Sequence, residues 1–211
     1  MERTLNNLGI SYTDLMLIHW PMALKETSPV DEFPRDEQGN LIFSDVHYME
    51  TWRALEECVD ENSTKSIGLS NFNIEQCQDV LNKCRIKPVC NQIEVHPYFQ
   101  NDQLVEFCQN NGMIVVAYSP LGAVDLAQTR EELPNILLDE SLIRIGKKHN
   151  KTAAQVCLRW SLQRGCVPVV KSLQQDQIVE NAQIFDFKLD DEDMHAIKSL
   201  NRNLRIFKMN E

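Results

Sequence analysis

The sequence predicts an α/β fold built on parallel strands, and two observations carry that expectation. Short apolar runs rich in β-branched residues alternate with longer segments of helical period, the pattern of successive βα units. Each run also ends on polar or hydroxyl-bearing residues, so that chemistry collects at one end of every strand. A chain of 211 residues, 43% apolar and 25% charged, has enough material for a sizeable core. That balance excludes a disordered or fibrous protein.

The strands are read at residues 15–19 (LMLIH), 66–70 (SIGLS), 89–95 (VCNQIEV), 113–118 (MIVVAY) and 167–170 (VPVV). Residues 47–62 set Met49, Trp52, Leu55, Cys58 and Val59 on one helical stripe, with Asp45 or Ser44 available to cap its start. Residues 73–84 open on Asn73, a capping residue, and bury Ile74, Cys77, Val80 and Leu81. The helix read at 102–111 stops at Gly112, which accepts the left-handed conformation that ends helices. After the fourth strand the helices are read at 142–149, at 153–164 with Gly165 as the stop, at 174–182 and at 191–200. No linker, fixed-period repeat or low-complexity tract interrupts the series, so residues 1–211 read as a single domain.

Composition narrows the function classes. Lys+Arg 21 against Asp+Glu 31 gives a net charge of −10, which repels phosphate backbones and anionic membrane surfaces and argues against nucleic-acid or membrane partners. The first twenty residues lack the charged-then-apolar order of a signal peptide, and no apolar run approaches a membrane span, so the expectation is a cytoplasmic protein. The seven cysteines are odd in number and none stands two residues from another, so no metal cage is expected.

Two architectures fit parallel βα units without a Gly-rich dinucleotide fingerprint: a (β/α)8 barrel and a doubly wound sheet. The strand ends favour the barrel. His19, Ser70 with Asn71, Gln92, Tyr118 with Ser119, and Lys171 with Ser172 lie at or just past the carboxyl ends of five strands, which in a barrel converge on one mouth.

The segments DLMLIHWP, SIGLSNFN, VCNQIEVHPY, VAYSPLG and VVKS followed by EN, in this order and at these separations, resemble the aldo-keto reductase family essentially from end to end. That resemblance implies a (β/α)8 barrel that binds NADPH and reduces an aldehyde or ketone. It implies that His19 is catalytic and polarises the substrate carbonyl, and that Trp20 walls the substrate pocket. Phe33, in the long segment after the first strand, is a further candidate pocket residue. Ser70, Asn71 and Gln92 would hold the nicotinamide amide, for which their donors and acceptors suit, while Tyr118 would stack on the ring. Ser119, Leu121 and Asp125 match the loop over the pyrophosphate. Lys171 and Ser172 match the grip on the 2′-phosphate, with Glu180 and Asn181 at the adenine.

Gln177 stands where the family usually has an arginine. A neutral amide cannot make the two charge-assisted bonds of a guanidinium, so NADPH is the expected cofactor but NADH is also admitted. Ala123 stands where relatives often have serine. The resemblance begins just before the fourth strand of the family fold, which implies an N-terminally truncated member with five of eight strands. The chain would then lack the Asp, Tyr and Lys of the family's tetrad, leave its first and last strands with unpaired edges, and be weakly active alone. The resemblance further implies no metal, and a monomer at full length. The competing reading is a catalytically silent NADP(H)-binding or regulatory module.

Overall fold

The computed structural model describes residues 1–27, 33–127, 130 and 133–208. These fall into two compact units, Met1–Asn91 and Gln92–Glu211. In the first unit come helix α1 (Glu2–Leu8), strand β1 (Thr13–Ile18), helix α2 (Tyr48–Asp60), strand β2 (Thr64–Ser70) and helix α3 (Ile74–Lys83). Strand β3 (Cys90–Glu94) carries the chain into the second unit. There follow α4 (Asp102–Asn110), β4 (Ile114–Tyr118), α5 (Val124–Ala127), a 3₁₀ turn (Ile136–Leu138), α6 (Glu140–His149), α7 (Ala153–Gln163), β5 (Cys166–Val169), α8 (Gln175–Ala182) and α9 (Asp191–Lys198). All five expected strands and all seven expected helices are present, with no end moved by more than two residues. Two short pieces were not expected, α5 and the 3₁₀ turn. Each is too short to show a periodic stripe.

In the first unit β1 runs parallel to β2, with Leu15 opposite Ser66 and Ile18 opposite Leu69. In the second, β4 runs parallel to β5, with Val115 opposite Cys166 and Tyr118 opposite Val169. Parallel pairing follows from the helix that separates each two strands in sequence. Burial is uneven along the series. Ile67, Gly68, Leu69 and Ser70 of β2 are all buried, whereas Val167 and Val169 of β5 remain 47% and 43% exposed.

The helices start and stop as their side chains dictate, with one correction. Asn73 caps α3, its side-chain oxygen accepting the Gln76 N–H at 2.8 Å, and Gln76 returns a bond to the Asn73 N–H, closing a capping box. Thr152 and Asp190 do the same for α7 and α9. For α2, however, neither Asp45 nor Ser44 is the cap. His47 takes that position, its Nδ1 accepting the Met49 N–H at 3.2 Å while Glu50 closes the box. An imidazole nitrogen can play the part of a short oxygen side chain, a substitution that capping preferences do not flag. Gly112 and Gly165 are left-handed, as their stop roles require.

The core of the first unit is Trp52, Ile67, Leu69, Phe72, Cys77 and Val80, all fully buried. Ile74, expected inside, is 36% exposed because it sits at the very start of α3. In the second unit α6 packs closely through Gly146 against the turn leading into α7, where an added Cβ would stand 2.5 Å from the Lys151 carbonyl oxygen. Backbone cannot yield there as a side-chain tip would. Gly146→Ala is therefore expected to cost about 2 kcal/mol or more, read as a lower urea midpoint with an unchanged slope.

Candidate functional site

In the first unit, three of the residues singled out by sequence come together at the carboxyl ends of β1 and β2. Ser70 is buried at the last position of β2 and Asn71 follows it in the left-handed conformation, φ 63°. The Asn71 Nδ2 donates to the His19 carbonyl oxygen at 2.9 Å and to the Ser70 Oγ at 3.2 Å. Asn71 thus ties the ends of two strands while Ser70 and His19 are held beside it. The His19 side chain is exposed and Trp20 is half-buried, with ring centroids 6.1 Å apart. Phe33 is 40% exposed, in a loop braced by the antiparallel bridges Leu24 to Phe43 and Arg35 to Leu41.

In the second unit a cleft of about 650 Å³ opens at the carboxyl ends of β4 and β5. It collects Tyr118, Ser119, Leu121 and Lys171, all expected from sequence, together with Ala123 and Phe207. Its floor loop is unusual in backbone. Ser119, Gly122 and Ala123 have φ of 49°, 67° and 50°, a clustering of left-handed residues within five positions. Such turns aim successive N–H groups into a concavity that suits an anion, and for serine and alanine the conformation carries a cost of about 1 kcal/mol each. Gly122 has a second constraint, since a Cβ there would lie 3.1 Å from Ile136 Cγ2. The Asp125 side chain lies outside the described residues.

Tyr118 is half-buried and meets Phe207 edge to face, with ring centroids 5.7 Å apart. Burial first, and then the Glu94 carboxylate, hold its hydroxyl well above the ordinary tyrosine range. Phe207 has no signal in the sequence, because the tail shows no periodicity that would dock it. Gln92 is half-buried on β3.

The remaining residues are held by partners of their own. The Ser172 Oγ donates to Gln177 Oε1 at 2.8 Å and accepts the Gln174 N–H at 3.2 Å, beside the start of α8. Glu180 accepts from Thr152 Oγ1 at 2.7 Å, and its carbonyl accepts from Gln155 Nε2 at 3.0 Å, which fastens α8 to the start of α7. Asn181 is half-buried on α8.

The tyrosines differ in how readily they could donate a proton. Tyr48 is pushed up to about 12 by burial and by its bond to Asp79. Tyr98 is also pushed up to about 12, by burial and by its bond to Asp139. Both, like Tyr118, are poorer acids than tyrosine in water, the opposite of the tuning that general acid catalysis favours. Tyr12 does form a trio with Lys65 and Asp14, the lysine donating to both at 2.9 Å. That trio is exposed and lies at the amino end of β1. At about 3.3 Å per residue, the length of the strand puts it roughly 20 Å from the end that carries His19.

Among the described residues no group of three His, Cys, Asp or Glu side chains could hold a metal ion, and no helix is long and apolar enough to cross a membrane. The aldo/keto reductase family model matches residues 1–202. Dihydrodiol dehydrogenase 3 from Bos taurus is 48% identical over 208 residues, covering 97% of this chain and 64% of its own length. Aldo-keto reductase family 1 member C15 from Rattus norvegicus is 47% identical over 213 residues, covering 99% and 65%. Among solved structures, the aldose reductase from Schistosoma japonicum superposes with a TM-score of 0.89 at 45% identity, over 98% of this chain and 64% of that one. The chain thus spans a little under two thirds of the length of the relatives it matches. These matches do not support the expected N-terminal truncation, since they take in nearly all of this chain. With a family match over almost its whole length and an α/β fold shared with the aldose reductase, the chain belongs to the aldo/keto reductase family.

Proposed function

We propose that this chain supplies the nicotinamide-cofactor cleft and the substrate-polarising histidine of an NADPH-dependent reductase of aldehydes or ketones. The observation that carries the reading is the second-unit cleft. It gathers an aromatic face at Tyr118, a left-handed loop at Ser119, Gly122 and Ala123, and the Lys171 cation within one cavity. These groups fit a ring, a pyrophosphate and a 2′-phosphate respectively. When bound, the nicotinamide supplies the reducing equivalent. The protein's own part is to orient and to polarise. Tyr118 presents a flat face against which a ring is fixed, and its depressed acidity suits stacking rather than proton transfer. Ser119, Leu121 and Asp125 form the pyrophosphate loop, and Lys171 with Ser172 takes the 2′-phosphate next to Gln177. Glu180 and Asn181 face the adenine, and Ser70, Asn71 and Gln92 hold the carboxamide. His19 donates toward a carbonyl oxygen, with Trp20 and Phe33 lining the substrate side.

The reading treats residues 1–211 as one domain of the (β/α)8 barrel type, in a protein that is cytoplasmic and, at full length, monomeric. The tyrosines favour low turnover by this chain alone. Three of them are raised in pKa, and the Tyr12 trio lies at the wrong strand ends. Absence of a general acid costs about 10²–10⁴-fold. The same observation favours the second reading, a silent NADP(H)-binding module, over a fully competent enzyme. The printed names of the relatives, a dihydrodiol dehydrogenase among them, leave the carbonyl class broad.

Titrating the purified chain with NADPH while following protein fluorescence tests the proposal, with aldehyde-dependent NADPH oxidation measured in the same samples. Saturable quenching with turnover at least 100-fold below that of an intact family reductase is expected. Absence of quenching by either NADPH or NADH overturns the cofactor assignment, and turnover equal to that of an intact reductase overturns the account of the missing acid.

A further inference from the structure

Glu94, at the end of β3, is a buried carboxylate with 2% of its surface exposed. Its three donors come from two directions. His96, two residues on and equally buried, has its Nε2 3.0 Å from Glu94 Oε1, and the His96 Nδ1 has no hydrogen-bond partner. A ring nitrogen facing a carboxylate must donate, so the proton is assigned to Nε2. The other two donors are backbone N–H groups far along the chain. Ile206 donates to Oε1 at 2.7 Å and Phe207 to Oε2 at 2.9 Å. One carboxylate therefore takes consecutive amides of the tail, on its two oxygens.

The tail has little else in the way of backbone pairing at this point. Arg202 and Leu204 donate to the Tyr98 carbonyl, and beyond them residues 204–208 form neither helix nor strand. What the two bonds fix is the place of Phe207, whose ring meets Tyr118 edge to face and lines the cleft. Burying a carboxylate is costly unless its lone pairs are filled. In this fold they are filled largely by the tail, so seating of the tail and burial of Glu94 are the same event. Glu94 also acts on Tyr118 through its charge, and Arg205 opposes it, which places all three in one neighbourhood.

We propose that Glu94 is a positioning residue that straps residues 204–208 across the second-unit cleft, setting the Phe207 ring against Tyr118 and thereby the residence time of a nicotinamide cofactor bound there. The cofactor part rests on the function proposed above; the strap itself does not. Without Glu94 the tail loses both anchors, Phe207 swings off Tyr118, and one wall of the cleft opens. The loop at Ser119–Ala123 and Lys171, on the other sides of the cleft, do not depend on Glu94, so entry is not slowed. The effect falls on release.

Two variants and three measurements test this. Glu94→Gln keeps the size but puts an amide donor where an N–H must be accepted. Ile206→Pro removes one tail donor without altering β3, and serves if the Glu94 variant folds poorly. In cofactor-free protein, hydrogen exchange of the Phe207 amide is expected to quicken about 10- to 100-fold in both variants, with faster tryptic cleavage after Arg205 in Glu94→Gln, the Arg–Pro bond of Ile206→Pro being resistant to trypsin. Stopped-flow displacement of NADPH is expected to give a dissociation rate about 3- to 10-fold higher with an unchanged association rate. Unchanged exchange and cleavage overturn the strap. Faster exchange with an unchanged dissociation rate overturns the positioning role. If the unaltered chain binds no NADPH, the proposed function fails, while the exchange comparison still decides the strap.

Discussion

Trp52→Ala is expected to destabilise the chain by about 3–5 kcal/mol. Trp52 is fully buried on α2, between Met49 and Leu55 of the same stripe. The indole also holds a polar junction. Its Nε1 donates to Glu56 Oε1 at 3.2 Å, and the same oxygen accepts the Arg85 and Ile86 N–H groups at 2.7 and 2.8 Å. Truncation therefore leaves a cavity and removes one donor from a buried carboxylate. Against a typical stability of about 5–15 kcal/mol, this is a large fraction. The measurement is equilibrium unfolding in urea, with Trp52→Phe as the control that loses the donor but keeps one aromatic ring and leaves a smaller cavity. A loss below about 1 kcal/mol for the alanine variant would mean that α2 does not anchor the first unit.

Lys171→Met is expected to weaken NADPH binding about 10- to 100-fold and NADH binding by less than about 3-fold, on the proposed reading of the second-unit cleft. Methionine keeps most of the aliphatic stem and removes the charge that a 2′-phosphate would meet. The converse change has a structural reason of its own. Ser172 Oγ is occupied as a donor to Gln177 Oε1, and an arginine offers no acceptor there. Gln177→Arg would thus release the Ser172 hydroxyl and add a bidentate cation, raising NADPH affinity several-fold with no gain for NADH. Fluorescence titration of the two cofactors at two salt concentrations checks both variants, because a phosphate contact weakens with ionic strength. Equal losses for NADPH and NADH in Lys171→Met would remove the phosphate from the Lys171 site.

Periodicity and capping made the strands and long helices readable. The alternation of LMLIH, SIGLS and MIVVAY with amphipathic stripes depends on local steric preference and on which face must leave water, both written in adjacent residues. The strand-end residues were readable for the same reason: once a strand is placed, its last side chain has a known address. Tyr118, Ser119, Leu121 and Lys171 do line one cleft.

Other features depend on residues far apart in sequence, and no local rule reaches them. Phe207 lines the cleft because Glu94, over a hundred positions earlier, captures the tail amides. Glu180 on α8 accepts from Thr152 Oγ1, a contact between residues 28 positions apart. His47 displaced Asp45 as the cap of α2 only because its ring nitrogen reached the Met49 N–H. The left-handed turns at Ser119 and Ala123 break the residue preferences by which a sequence announces such turns.

By itself, then, the sequence determined the order of βα units, the helix start set by Asn73, and the family to which the chain belongs. Those follow from short-range sterics, hydrogen bonding and motif spacing. Only the tertiary structure decided which buried carboxylate holds the tail, which tyrosines are poor acids and which polar side chains are already partnered. Each of those turns on desolvation and on neighbours that the chain brings together only when it folds.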